Sequence, residues 1–303
     1  MLLTRRLRRL ITSTATRLTT LITPPPPVKK HIKIDDEERG TPHPYRPSHT
    51  RTPLIQTLKM LFLLLTLLLF LTALTAYTIY KPPNTLIKYL QARNPDVIFH
   101  LPLPDHRKVV ALTIDDAPSQ HTPALLSLLA THNASATFFI IGSQIPPAHT
   151  DPILTSILAG GNELGNHAQH DEPSISLPLP ELVSQIKTID ALLPPNASGN
   201  KYFRPGSGFF NAKMVERVQE LGYRMVLGSV YPHDAQIRSA RRNARHVVGG
   251  VRPGSVVIMH DRRGYSVEQL GMILEGLGRR GFEVVCLGEL MRIKGEVEGE
   301  GRR

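Results

Sequence analysis

The stretch Lys108-Val109-Val110-Ala111-Leu112-Thr113-Ile114-Asp115-Asp116-Ala117-Pro118-Ser119 decides how the rest of the chain is read. Its apolar part is long enough for a buried strand, stops at two adjacent carboxylates, and is followed by a turn-forming Ala-Pro-Ser. Neighbours on a regular strand point to opposite faces, which puts Asp115 and Asp116 in different environments. Two carboxylates at the end of a buried strand carry a desolvation cost that a cation, an arginine or a reaction must offset. A solvated loop start is the alternative, and the surrounding sequence bears on the choice.

Downstream, apolar strand-like runs alternate with helix-period segments. The strand runs are residues 109–114, 137–141, 163–165, 202–203, 225–229, 255–259 and 283–287, and the helical ones 124–131, 153–159, 181–193, 212–221, 242–248 and 267–279. Regular β/α alternation without an internal repeat predicts an α/β domain with a parallel sheet, either a short (β/α) barrel or an open doubly wound sheet.

The first third is different. Of the +11 net charge, 8 reside in residues 1–59, which hold twelve Lys/Arg against four Asp/Glu. The basic character therefore belongs to a tail and does not argue for a nucleic-acid partner. Residues 1–23, arginine-rich and free of acids, read as an organelle transit peptide or a membrane-facing basic arm, and the Pro-rich stretch to Pro53 has too little apolar surface for a core. Residues 60–80 are dominated by Leu and carry no charge, matching the ~20 residues needed to cross a bilayer as a helix. The basic load on their N-terminal side predicts a single-pass type II signal anchor with a cytosolic N-terminus and the remainder lumenal or extracellular. The domain plan is thus a disordered tail (1–59), a membrane helix (60–80), a stalk (81–104), a folded domain (105–293) and a charged, frayed tail (294–303). The single Cys286, inside an apolar run, reads as a core residue and excludes an intrachain disulfide.

On this scaffold the polar residues gather at C-terminal strand ends, where barrel enzymes collect their chemistry. Asp115-Asp116 end the first run, His167, His170 and Asp171 the third, Arg204 the fourth, Asp234 the fifth and His260 the sixth. The segments Thr113-Ile114-Asp115-Asp116-Ala117-Pro118-Ser119, Asn166-His167-Ala168-Gln169-His170-Asp171, Arg204-Pro205-Gly206-Ser207-Gly208, Ser229-Val230-Tyr231-Pro232-His233-Asp234 and Val257-Ile258-Met259-His260-Asp261 resemble, in order and spacing, the five motifs of the NodB-type polysaccharide deacetylases, carbohydrate esterase family 4. The resemblance covers roughly residues 105–293.

It implies a distorted (β/α)7-8 barrel that removes acetyl groups from N-acetylated glycans, chitin-like polymers first, with a divalent ion, usually zinc. Mapped onto this chain it implies Asp115 as general base, Arg204 as the group that orients it, His260 as general acid and Asp234 as its partner. Asp116 and His167 become metal ligands, with Asp171 preferred as the third because it holds the family position and His170 as the alternative. Ser207 would offer a backbone N–H to the oxyanion, and Ile258 would line the pocket for the acetyl methyl group. The chemistry is coherent without the family, since hydrolysis of an amide needs a Lewis acid, an activated water and an acid for the leaving amine. This chain departs from the pattern at Ala117 in place of a glycine, at Gly206-Ser207 in place of Pro and an aromatic, and at Ala235 in place of a Trp, which alters the sugar-facing walls more than the ionic groups.

His233 adjoins Asp234, which makes a site-facing role the minor alternative to an ordinary surface position, and Arg238, Arg241, Arg242 and Arg245 read as a solvated face rather than a polyanion groove. Asn133-Ala134-Ser135 and Asn196-Ala197-Ser198 are glycosylation sequons, on the lumenal side if the anchor reading holds. Two rivals remain open: a non-catalytic glycan-binding module on the same fold, and an organelle-targeted hydrolase with residues 1–23 as its transit peptide.

Overall fold

The computed structural model describes residues 52–145 and 152–300. The chain divides into two compact units, Met1–Met60 and Leu61–Arg303. Of the first, the described residues are the opening turns of helix α1 (Thr52–Tyr80). The proposed transit peptide and most of the basic tail lie outside the described residues.

The second unit is built on eight parallel strands: β1 (Val97–Ile98), β2 (Val109–Ala117), β3 (Ala136–Ile140), β4 (Glu163–Asn166), β5 (Tyr202–Phe203), β6 (Arg224–Val226), β7 (Val256–His260) and β8 (Glu283–Val285). They run in the order β1-β6-β5-β4-β3-β2-β7, with β8 paired to the start of β2. Isolated bridges, Val230 to Val257 and His100 to Ser255, tie the free ends of this path together. The result is the curled, distorted barrel expected for a (β/α) chain. Helices α2 (Asn84–Arg93), α3 (Thr122–Thr131), α4 (Pro152–Ala159), α5 (Leu179–Asp190), α6 (Ala212–Glu220), α7 (Ala240–Gly250), α8 (Ser266–Arg279) and α9 (Leu287–Glu300) are the other α-helices among the described residues.

Strand period sorts the core into two layers. On β2, Val110, Leu112 and Ile114 pack outward with Leu125, Leu129 and Leu270 of the helices. Val109 and Ala111 point inward with Phe139, Tyr202, Val226, Val256 and Val285. Continuing the inward series by twos reaches Asp115 on β2, Arg204 beyond β5, His167 beyond β4 and Ile258 and His260 on β7. One periodicity therefore fills the barrel below and aims the polar groups into its C-terminal mouth.

Several expectations change. The stalk (81–104) is not extended: it holds α2 and β1, and Ile87, Val97, Ile98 and Phe99 are buried. β1 completes the sheet beside β6, Val97 opposite Met225, which burial of two apolar residues favours over solvated linker. The tail expected at 294–303 is helical as far as Glu300, stapled by Arg292 to Glu289 and Glu296 and by Lys294 to Glu298. The apolar helix starts at Thr52, eight residues before the expected span, and its described side chains are almost all exposed; an 18-residue window within Pro53–Tyr80 has a mean hydropathy of 2.3. A soluble core helix would be buried, so the composition fits a membrane span.

Candidate active site

Asp115 closes the inward row of β2, directly opposite His260 of β7 in the strand register. Its carboxylate is buried and lies 2.5 Å from Arg204 Nη1. Every arm of that guanidinium is committed: Nε donates to Val226 O at 3.2 Å, Nη2 to Leu227 O at 3.0 Å, and the plane lies 4.1 Å from the Phe139 ring centroid. Gly165 makes this possible, because a Cβ there would come within 2.6 Å of the Phe139 ring. Burial pushes the Asp115 carboxyl up, but Arg204, with His167 and His260, more than offsets it and holds the group below the usual carboxylate range. Asp115 is thus an ionised base whose orientation is fixed by a cation that cannot itself give up a proton near neutral pH.

Asp116 corrects the strict alternation expected from the sequence. The β2–β3 register shifts between Ile114 and Ala117, and Asp116 takes a left-handed φ of 65°. This bulge swings its carboxylate from the helix side into the mouth, so the two aspartates share one environment. The positive φ falls on Asp116 and not on Ala117, so the glycine-to-alanine departure costs no strain; the Ala117–Pro118 peptide is cis.

His167 Nδ1 lies 2.7 Å from Arg204 O, which fixes that nitrogen as the donor and leaves Nε2 as a lone-pair donor, 3.9 Å from Asp116 Oδ1. Burial raises the Asp116 pKa, His260 and His167 counter it, and Asp115 and Asp171 add to it, for a net rise. A buried carboxylate whose charge burial disfavours, beside an oriented imidazole nitrogen, fits a divalent cation. Asp171 and His170 are both exposed, and Asp171 lies 3.8 Å from Arg262. Among the described residues no three His, Cys, Asp or Glu converge as a metal group. The structure therefore brings two of the expected ligands together and leaves the third on the rim.

His260 Nδ1 lies 2.7 Å from Asp234 Oδ1, while its own N–H donates to Asp234 Oδ2 at 2.9 Å. Asp234 is further held by Gln269 Nε2 at 3.0 Å, and its backbone carbonyl by the Tyr265 hydroxyl. Burial works against the imidazolium, but Asp234 chiefly, with Asp115 and Asp116, pushes the His260 pKa up to about 9. His260 is therefore an imidazolium near neutral pH, with Nε2 free to give a proton.

Ser207 has a left-handed φ of 63° in the turn Gly206–Gly208, and its N–H has no acceptor among the described residues. Ile258, half-buried on β7, occupies the room left by Gly228, where a Cβ would approach it to 2.7 Å. His233, also at a left-handed φ of 60°, turns toward Tyr80, bonding its carbonyl at 2.8 Å, and touches the site only through Tyr231. Arg238, Arg241, Arg242 and Arg245 are exposed, as a solvated face requires.

Sequence reading missed Gln269, Tyr265 and Arg263. The first two buttress Asp234 from α8 and the turn before it, and Arg263 Nη2 lies 3.8 Å from Asp116 Oδ2. It also missed Asp261, whose buried carboxylate receives the hydroxyls of Ser119 and Thr122 and whose N–H donates to Asp115 O at 2.9 Å, tying the turn after β2 to the end of β7. Only Asp261 carried a signal, its adjacency to His260. A cavity of about 830 Å³ around Glu163, at the start of β4, includes none of these residues.

Comparison with known proteins places this geometry among relatives. The family model described as polysaccharide deacetylase matches residues 103–226. Peptidoglycan-N-acetylglucosamine deacetylase of Bacillus cereus is 31% identical over 199 residues, covering 63% of this chain and 92% of that protein. Longer curated relatives are spanned over only 31% to 39% of their length. The structure of peptidoglycan deacetylase PdaC from Bacillus subtilis is 25% identical, with a TM-score of 0.57 over 66% of this chain and 98% of that one. A pseudoenzyme of carbohydrate esterase family 4 from Bacillus anthracis, 24% identical, shares the fold with a TM-score of 0.56 over 64% of this chain and 68% of its own.

Proposed function

The chain belongs to the NodB-type polysaccharide deacetylases of carbohydrate esterase family 4, hydrolases of carbon–nitrogen bonds, and from that premise we propose that it removes N-acetyl groups from N-acetylglucosamine-containing glycans, chitin-like polymers or peptidoglycan. The observation that carries the reading is the pairing of an Arg-held base with an Asp-held acid across one strand register, Asp115 opposite His260.

Asp115 takes a proton from a water as the hydroxyl oxygen adds to the acetyl carbon. The Ser207 N–H donates to the oxygen on which negative charge develops, a contribution of about 3 kcal/mol for such a donor. His260 delivers a proton to the sugar nitrogen as the carbon–nitrogen bond breaks, so a free amine and acetic acid leave, and the acid ionises to acetate in solvent. Asp115 then holds one proton more and His260 one fewer, and transfer of a proton between them through solvent restores both. Ile258 packs against the acetyl methyl group. Asp116 and His167, with Asp171 or alternatively His170, would hold a divalent ion, zinc being the expected one. When bound, it supplies Lewis-acid polarisation of the acetyl carbonyl.

Residues 60–80 act in this reading as a signal anchor, with the N-terminus cytosolic, residues 81–300 lumenal or extracellular, and the domain beginning with α2. Asn133, exposed after α3, is the sequon open to a glycan. Asn196 spends its amide on Leu164 N, Leu164 O and Asn200 O. Protease protection of the N-terminus separates this topology from organelle import with cleavage after residue 23.

Acetate release from chito-oligosaccharides and from peptidoglycan by the full chain in detergent, with zinc added, tests the activity. Asp115→Asn and His260→Ala should abolish release and leave the fold intact; unchanged rates in both would refute the assignment. The dispersed third ligand favours one second reading, a non-catalytic glycan-binding member of the fold. Glycan binding without acetate release at any metal concentration would establish it.

A further inference from the structure

A second cavity, of about 290 Å³, opens where the end of α1 meets the loop after β6 and the end of α7. Its basic lining residues are Lys81, His246 and Arg252, and among the described residues no Asp or Glu lines it. Arg252 is half-buried, and its Nε is shielded from solvent without a hydrogen-bond partner. Burial alone acts on this guanidinium, lowering its pKa, and no carboxylate compensates it. The neighbouring histidines report the same field. Burial and then Arg252 and Lys88 depress His100 to about 4, and burial and then His233 and Lys81 depress His246.

Backbone donors add to this. α2 begins at Asn84 behind Pro83 without a side-chain cap, and its first amides to find an acceptor are Leu86 and Ile87, both on Pro83 O. Asn84 precedes them and lines the cavity, so the positive end of α2 faces it with an unspent N–H. Opposing acceptors are also present: the C-terminal turns of α1 and α7, and the shielded, unpartnered Oδ1 of the cavity-lining Asn84. On α1 the Tyr77 carbonyl is engaged by Lys81 N–H and the Tyr80 carbonyl by His233, and on α7 the Val247 carbonyl is engaged by Val251 N–H and the Val248 carbonyl by Arg280.

We infer that this cavity is an anion site that takes a phosphate group through Arg252, Lys81 and the N-terminus of α2. The fit is chemical: a guanidinium and an ammonium in a carboxylate-free recess, beside a helix N-terminus, form a receptor for tetrahedral oxyanions. Its position suggests where the phosphate comes from. The charge-free run of α1 ends at Tyr80, immediately before Lys81, so in the anchored chain the cavity opens at the level of phospholipid headgroups. Free phosphate offers the same chemistry. The lipid source rests on α1 spanning a membrane; the phosphate site does not.

The test uses the full chain purified in detergent. Native mass spectrometry with added phosphatidylglycerol or phosphatidylcholine reads lipid retention, and phosphorus NMR with inorganic phosphate reads the free ion. Retention of phosphatidylglycerol should exceed that of phosphatidylcholine about tenfold and fall to the same level in Lys81→Glu/Arg252→Gln, with acetate release from soluble chito-oligosaccharides unchanged. Should the double variant fold poorly, Lys81→Glu alone, at an exposed position, must still lower retention severalfold. Phosphate binding that disappears in the variants without any lipid preference assigns the site to the free ion. Binding of neither, or binding of both that the variants leave intact, overturns the inference, and the acetate control shows independently whether the deacetylase reading stands.

Discussion

Asp234→Asn isolates what a buried carboxylate does for His260, the proposed general acid. The His260 pKa lies near 9 against an ordinary 6.5, and Asp234 is the largest contributor to the rise. A shift of this size corresponds to about 3 kcal/mol of preference for the imidazolium. An amide at 234 can still bond the ring and the His260 N–H but carries no charge, so burial then dominates and the pKa drops to 6.5 or below. At pH 8 the protonated fraction falls from about nine-tenths to about three-hundredths, a loss of about thirtyfold in competent enzyme, whereas at pH 6 most of it survives. The rate deficit should therefore be large at pH 8 and small at pH 6. NMR titration of the His260 ring in metal-free protein should show the drop directly. The stability effect has the matching sign. A folded-state pKa raised above the unfolded value stabilises fully below pH 6.5 and ceases to do so as pH rises through 9. Hence the gap in unfolding free energy between parent and variant should narrow in alkali. A rate deficit equal at pH 6 and pH 8, or a His260 pKa still near 9 in the variant, would refute the electrostatic role and leave Asp234 a merely structural bond to the strand end.

Three other perturbations probe the scaffold and the ligand set. Gly165→Ala drives a Cβ into Phe139, on which the Arg204 guanidinium rests, and should cost about 1–3 kcal/mol in urea unfolding while raising the pKa of Asp115, read as an upward move of the acid limb of the rate profile. Zinc content after Asp171→Ala should collapse and after His170→Ala stay near that of the parent; the reverse would transfer the third ligand to His170. In a secretory-pathway host, Asn133→Gln should remove a glycan mobility shift, whereas Asn196→Gln should leave mobility unchanged and lower the melting temperature, because the Asn196 amide bridges Leu164 and Asn200.

The barrel was legible because its strands are buried on both faces and so read as continuous apolar runs; even Tyr202–Phe203, only two residues long, was found. What escaped is structure made by tertiary partners. β1 is also two residues long, Val97–Ile98, but it sits in a segment that reads as linker, and only its pairing to β6 makes it a strand. The final helix escaped because alternating charge with glycine looks frayed until the i to i+3 and i to i+4 pairs of Arg292 and Lys294 are counted. Gln269 and Tyr265 were invisible for a similar reason: on α8 and its preceding turn they follow no motif, and only folding brings them under Asp234.

Asp116 is the most informative miss, because a correct general rule gave the wrong local result. Alternation held along β2 from Val109 to Asp115 and placed Asp115 on the inward row. It would have turned Asp116 toward the helices, among Leu125, Leu129 and Leu270, where an ionised carboxylate has no compensation. The bulge resolves that conflict. One left-handed residue moves the charge into the mouth, and the register shift absorbs the extra length before Ala117 rejoins Ile140. The strain of a non-glycine residue at φ 65° is about 1–3 kcal/mol, less than the cost of an unpaired charge in a hydrocarbon core. Asp115 and Asp116 can thus be neighbours in sequence and in space, as the proposed roles of base and cation ligand require, an arrangement that regular strand geometry forbids.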